Sequence, residues 1–316
     1  MSVAAKLLLE FIPNLVYRLQ VTQNRCDNNL EKVGQNTLTS DIPLHLHSPR
    51  LGFLCVFSVL CRYLHLDPAE EYKMNHKRRG LALIFNQENF GSTSRAGSRN
   101  DRDKLLMRLT EMKFDVKVYD NMNEEEVYKS ISEAAEADHS DADCFLLVFL
   151  SHGDKDHVDT YDGQISIEDI TSPFKGDKCR TLVGKPKIFI FQACRGDKND
   201  DPATACDAVD SVVEEPTGDG ARYTLPAGAD FIMCYSVAEG YFSNRNIASG
   251  SWYIQALCEL FEKYGDSLEF TELLTLVNRK VSVRSVQCGD SQKDGKKQVP
   301  YFASMLTKKL YFRPKK

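Results

Sequence analysis

Hydrophobic and polar positions along this chain change character near Tyr72. Beyond it they follow regular periods. Residues 81–85 form a short apolar run, which predicts a buried strand. Residues 101–112 carry Leu105, Leu106 and Leu109 at helical spacing and predict an amphipathic helix. Residues 114–119 set Phe114, Val116 and Val118 against Asp115 and Lys117, the alternation of a half-buried strand. Residues 123–137, rich in Glu and Ala, predict a second helix. Residues 144–150, 188–191 and 231–235 are apolar throughout, as central strands are. Residues 251–264 and 270–286 predict two more helices. Strands alternating with helices imply an α/β domain with a mainly parallel sheet covered on both faces. Such folds place their chemistry at the carboxyl ends of strands.

The region before Tyr72 shows no steady period. Residues 3–19 are apolar at roughly helical spacing, but Lys6, Glu10 and Pro13 interrupt them, and no clean apolar block precedes a small-residue cleavage site. A signal peptide is therefore not expected. Residues 51–61 are apolar but well short of the ~20 a spanning helix needs, and Arg62 follows at once. Asn and Gln crowd residues 20–36, and His and Pro crowd 43–49. Residues 1–66 are expected to be a poorly ordered leader.

Composition narrows the function classes. The 316 residues are 42% hydrophobic and 27% charged, with a formal net charge of -5 at pH 7. That is enough apolar content for a full core, with no basic excess to suit a nucleic acid. Ten cysteines without a single Cys-x-x-Cys pair predict neither a disulfide scaffold nor a zinc or redox motif. Free thiols in a reducing, intracellular setting are expected, with no metal and no other cofactor.

Two predicted strands stop abruptly at reactive side chains. One ends in Ser151-His152-Gly153, the other in Gln192-Ala193-Cys194-Arg195-Gly196. In a parallel sheet both ends open on the same edge, where a Cys and a His can meet as nucleophile and base. Taken singly, each is more often a buried thiol or a partly exposed imidazole. His157, in a Lys- and Asp-rich loop, keeps that plainer reading. The joint pattern changes the balance.

The Gln192-to-Gly196 run resembles the caspase signature. Ser151-His152-Gly153 is similar to that family's histidine motif, and Ser94-Arg95-Ala96-Gly97 to its early arginine loop. Phe242-Ser243-Asn244-Arg245-Asn246 is similar to its later arginine segment, with Gly250-Ser251-Trp252 following. Lys297-Gln298-Val299-Pro300 and Ser304-Met305-Leu306 resemble its last strands. From residue 72 to 312 the chain resembles an executioner caspase, of the kind found as insect and vertebrate effectors.

The resemblance implies a three-layer α/β/α sandwich with a mostly parallel central sheet of about six strands. It implies an aspartate-specific cysteine endopeptidase made as a zymogen. Cys194 would be the nucleophile, His152 its acid/base partner, and the N–H groups of Gly153 and Cys194 an oxyanion hole. No side chain signals itself as a third, orienting member. Arg95, Gln192 and Arg245 would form the aspartate pocket, with Ser243, Phe242 and Asn246 also contacting substrate. Paired guanidinium donors suit a desolvated carboxylate and penalise apolar side chains there. Arg99 and Arg195 are expected to be solvated surface charges.

One departure stands out. Asn244 occupies a position where executioner caspases usually carry tryptophan; the only Trp is Trp252. Looser selection next to the cleaved Asp is expected. The polar stretch after Gly196 contains Asp207-Ala208-Val209-Asp210-Ser211. Cleavage after Asp210, with Asp219 and Asp207 as runners-up, would divide a large subunit (67–210) from a small one (211–316). By resemblance, the partners are protein substrates with exposed Asp-containing loops, a homodimer of large/small pairs joined near residues 299–306, an upstream initiator caspase and inhibitor-of-apoptosis proteins. Neither nucleic acid nor membrane is expected, and the location is cytoplasmic. Two rivals remain: a catalytically weak caspase-like dimer partner or decoy, and a thiol-redox or metal protein.

Overall fold

The structure, a computed structural model, describes residues 70–91, 93–196, 227–239, 241, 243–287 and 294–315. The first strand, β1 (Leu81–Asn86), leads into a small hairpin, β2 (Asn89–Phe90) and β3 (Thr93–Ser94). Helix α1 (Ser98–Glu111), β4 (Asp115–Asp120), α2 (Glu124–Glu136) and β5 (Phe145–Leu150) follow. A second hairpin, β6 (His157–Asp159) and β7 (Gln164–Ser166), precedes the short α3 (Ile167–Thr171). Next come β8 (Lys187–Gln192) and β9 (Phe231–Tyr235). A third hairpin, β10 (Arg245–Asn246) and β11 (Gly250–Ser251), leads to α4 (Trp252–Tyr264), α5 (Phe270–Ser282) and β12 (Tyr301–Ser304).

Six strands form the central sheet in the order β12-β9-β8-β5-β1-β4. All neighbours are parallel except β12, which runs antiparallel to β9. The central strands are buried on both faces, which is why their sequences are apolar apart from the end positions Asn86, Lys187 and Gln192. The edge strand β4 has only one face to bury, which is why it alternates. Each central strand also sorts its residues by side. Ala82, Ile84, Leu146, Val148, Ile188, Ile190 and Ile232 pack beneath α1, α4 and α5. Phe85, Phe145, Phe149, Phe189, Phe191 and Phe231 face the opposite way, with Val127 and Ile131 of α2 and Ile170 of α3. Aromatic stacks cross the strands on that face, Phe85 on Phe149 at 5.3 Å and Phe189 on Phe231 at 5.6 Å between centroids. The expected three layers are present.

Helix boundaries follow local chemistry. Helix α2 starts at a capping box: Asn123 accepts from Glu126 N, and the Glu126 carboxylate accepts from Asn123 N. Helix α5 ends at Ser282, earlier than the expected 286. Beyond it, Val286 N–H donates to the Lys296 carbonyl and Gly295 N–H to the Val286 carbonyl, so a loop pairing replaces the last helical turn. The three small hairpins escape periodicity because strands of two or three residues carry no period.

Among the described residues no helix is long and apolar enough to cross a membrane. Cys144, Cys179, Cys194, Cys234 and Cys258 are free thiols. Residues 1–66, expected to be a leader, lie outside the described residues, as do Phe242 and the three candidate processing sites Asp207, Asp210 and Asp219.

Candidate active site

Parallel strands β5 and β8 deliver the two reactive residues to one edge. Leu150 pairs with Gln192 in register, so the histidine and cysteine loops leave the sheet side by side. Ser151 N–H donates to the Gln192 carbonyl at 3.1 Å and ties the loops together. Ser151 Oγ donates to the Asp159 carbonyl at 2.6 Å, and Asp159 N–H to the His152 carbonyl at 3.0 Å, so β6 folds back over the histidine. Gly153 must be glycine here: a Cβ would lie 2.5 Å from the His157 carbonyl oxygen.

The His152 ring is half-buried against Phe90 of β2, with centroids 4.9 Å apart. Burial, followed by the charges of Arg95 and Arg245, holds its pKa below the usual histidine value, so the neutral imidazole persists toward acid. Cys194 Sγ accepts a hydrogen bond from Ser243 N–H at 3.5 Å. Among the described residues no hydrogen bond joins His152 to Cys194, and none orients the imidazole from a third side chain. The backbone N–H groups of Gly153 and Cys194 likewise have no acceptor among the described residues.

The arginines converge beside this pair. Arg95 is fully buried. Its guanidinium donates to Ser98 Oγ and, at 3.4 Å, to the Gln192 carbonyl, while its Nε finds no partner. Burial, then repulsion from Arg245, lowers its pKa to about 9. Arg245 donates from Nε to the Ala96 carbonyl at 2.8 Å, and burial lowers its pKa also. Both guanidiniums face the Cys194 sulfur as a negative charge when it is a thiolate. Gln192 donates from Nε2 to Ser243 Oγ at 2.7 Å and leaves its buried Oε1 unpartnered. Asn246 shapes the hairpin turn, its Oδ1 accepting from Ala248 and Ser249 N–H.

The Caspase domain family matches residues 79–311. The chain belongs to the caspase family. It is 60% identical over 259 residues to Caspase-6 of Gallus gallus, covering 79% of this chain and 85% of that protein. Caspase-3 of Mesocricetus auratus is 41% identical over 257 residues, covering 79% and 88% respectively. The crystal structure of Caspase-1 from Spodoptera frugiperda superposes with a TM-score of 0.72 at 39% identity, covering 78% of this chain and 97% of that one. As a caspase of this effector-like group, the protein is an aspartate-specific cysteine endopeptidase.

The parts that several residues play in this caspase's site were not marked in the sequence. Asp101 of α1 is fully buried, and its Oδ1 accepts from Ser251 N–H at 2.8 Å. Its carboxylate is a counter-charge for both arginines. Gly250 leaves it room, since a Cβ there would sit 2.3 Å from Asp101 Oδ1. Gln298, just ahead of β12, is also fully buried and bonded to the arginine segment. Arg195 corrects an expectation. Its side chain is only 11% exposed, not solvated, because its guanidinium lies over Tyr235 at 4.2 Å and reaches the Lys155 carbonyl and Glu239. Arg99 is 67% exposed and pairs with Glu88, as a surface arginine does.

Proposed function

We propose that this caspase cleaves protein loops after aspartate with Cys194 as nucleophile and His152 as proton carrier. The supporting observation is the convergence of Cys194, His152, Arg95, Gln192 and Arg245 at one edge of the sheet. The Cys194 thiolate attacks the scissile carbonyl. The free N–H groups of Gly153 and Cys194 are available to the developing oxyanion. His152 takes the thiol proton and returns it to the leaving amine, a step worth roughly 10²–10⁴ in rate. The substrate aspartate supplies the charge that Arg95 and Arg245 lack.

The remaining assignments rest on family likeness and sequence. The enzyme is a zymogen opened after Asp210 by an upstream initiator caspase, giving subunits 67–210 and 211–316. It works as a homodimer in the cytoplasm in apoptotic proteolysis, and is open to inhibitor-of-apoptosis proteins. Asn244 relaxes selection beside the cleaved Asp, which a peptide library would read.

The test is hydrolysis of a fluorogenic peptide ending in Asp, compared with Cys194→Ala. Robust turnover lost in Cys194→Ala is expected. Equal turnover in both proteins would refute the mechanism, and no turnover in either would favour a decoy. An Asp210→Ala chain still cut at the same place would remove that processing site.

A further inference from the structure

The arginine segment after Phe242 is held by polar contacts: the Asn244 carbonyl accepts from Trp252 N–H at 3.2 Å, and Arg245 pairs with Ser251 across β10 and β11. Ser243, Asn244 and Arg245 contribute no side chain to either hydrophobic cluster. What fixes the first two is a polar lattice, and Gln298 is its hub. The amide is 0% exposed. Its Oε1 accepts from Asn244 N–H at 2.7 Å. Its Nε2 donates to the Ser236 carbonyl at 2.6 Å and approaches Ser243 Oγ at 3.4 Å. Only this orientation of the amide places a donor against the carbonyl and an acceptor against the N–H.

The anchor at the other end is rigid. Ser236 follows β9, donates its N–H to the Phe191 carbonyl at 2.9 Å and its Oγ to the Ala193 carbonyl at 3.0 Å. Gln298 therefore bridges the backbone beside the nucleophile to the backbone that carries Arg245. Gln192 closes the ring through Ser243 Oγ, and Ser243 N–H reaches Cys194 Sγ. Among the described residues the Gln298 side chain hydrogen-bonds to neither arginine. A buried amide with its polar groups engaged fixes a geometry that an apolar residue of equal volume cannot.

We propose that Gln298 is a positioning residue for aspartate recognition, setting the Ser243–Asn244 backbone, and with it Arg245, at a fixed place relative to Cys194. The proposal rests on the reading of Arg245 as part of the aspartate pocket. It concerns what holds the pocket, while the pocket itself belongs to that earlier reading.

The experiment uses the full chain with Gln298→Met, which keeps volume and removes both hydrogen-bonding functions. Three quantities are measured: kcat and KM for a peptide ending in Asp, the same for one ending in Asn, and the rate of Cys194 alkylation by iodoacetamide, which needs no pocket. The expected result is a roughly 10- to 100-fold loss of kcat/KM on the Asp peptide, carried mainly by KM. Preference for Asp over Asn shrinks with it, and alkylation stays within about twofold of the parent. Unchanged KM and unchanged Asp preference would overturn the proposal, as would alkylation falling in step with turnover.

Should Gln298→Met fail to fold, Gln298→Glu decides. An ionised carboxylate cannot donate to the Ser236 carbonyl, whereas the protonated acid can. Its activity relative to the parent should rise as pH falls from about 8 to about 6. A flat ratio would also overturn the proposal. Failure of the underlying reading looks different: the parent enzyme itself would show no Cys194-dependent preference for Asp.

Discussion

The two edges of the central sheet both bury charge, but they treat it in opposite ways. At the amino-terminal edge, Asp143 precedes β5 and is gripped by Arg79 at 3.2 Å, Lys315 at 2.6 Å and His76 at 3.1 Å. Lys187 opens β8 and donates from Nζ to the Leu182 and Lys185 carbonyls. Asp230 precedes β9 and accepts from Tyr72 and Thr307, each at 2.6 Å. None of these four buried charges, Arg79, Asp143, Lys187 and Asp230, has an orphaned buried atom. At the carboxyl-terminal edge, Arg95 Nε, Asp101 Oδ2, Gln192 Oε1 and Arg195 Nε are all buried without a partner among the described residues. At the amino-terminal edge those four charges are partnered and contribute to holding the fold. The other keeps positive charge under-compensated, which costs stability and leaves a place for a carboxylate.

This contrast can be broken most forcefully at Arg95. Arg95→Met is expected to reduce kcat/KM on an Asp peptide by on the order of 10³-fold or more, with stability unchanged or raised because a desolvated guanidinium is gone. Loss of stability on denaturant unfolding would place Arg95 with the structural charges instead. The mirror test is Asp143→Asn. It leaves Arg79 and Lys315 facing a neutral group and should lower unfolding free energy by about 3 kcal/mol. Activity per folded molecule should hold, and a selective loss of turnover would contradict the division.

Asp101 tests the boundary between the two behaviours. Asp101→Asn keeps the acceptor for Ser251 N–H and removes a buried carboxylate shared by Arg95 and Arg245. Stability should fall by roughly 1 kcal/mol, while KM for an Asp peptide drops a few-fold as the substrate carboxylate takes over the counter-charge that Asp101 supplied. A raised KM would show that Asp101 serves the pocket by shape. The smallest effect belongs to Phe90. Burial is the first cause of the lowered His152 pKa, and the Phe90 ring supplies part of it. Phe90→Ser lets water reach the imidazole and raises that pKa toward the ordinary ~6.5. With neutral His152 as the proposed proton acceptor, the acid limb of kcat/KM should move upward. An unmoved limb would mean that the arginine charges alone set it.

The layers of this fold were legible because a strand buried on both faces must be apolar throughout, as residues 145–150 are, and because Leu105 and Leu109 repeat at the helical period. The positions of Cys194 and His152 at neighbouring strand ends were legible because each interrupts such a run at its carboxyl end. Phe90, Asp101 and Gln298 were not. Each reaches its neighbours across a long sequence separation, and a buried carboxylate or amide reads like a surface one until its surroundings are known. Arg195 was misplaced for the same reason, since Tyr235, which covers it, lies on another strand.

By itself the sequence determined the α/β layering, the family and the residue types that carry the chemistry, because periodicity and short motifs are local. Only the tertiary structure decided which charges are compensated. It placed Asp143 against Arg79, Lys315 and the His76 ring, set Asp101 beside both Arg95 and Arg245, and put a buried amide between the Cys194 loop and the arginine segment. Burial and pairing depend on what several distant strands and loops bring to one point, and no local pattern encodes that.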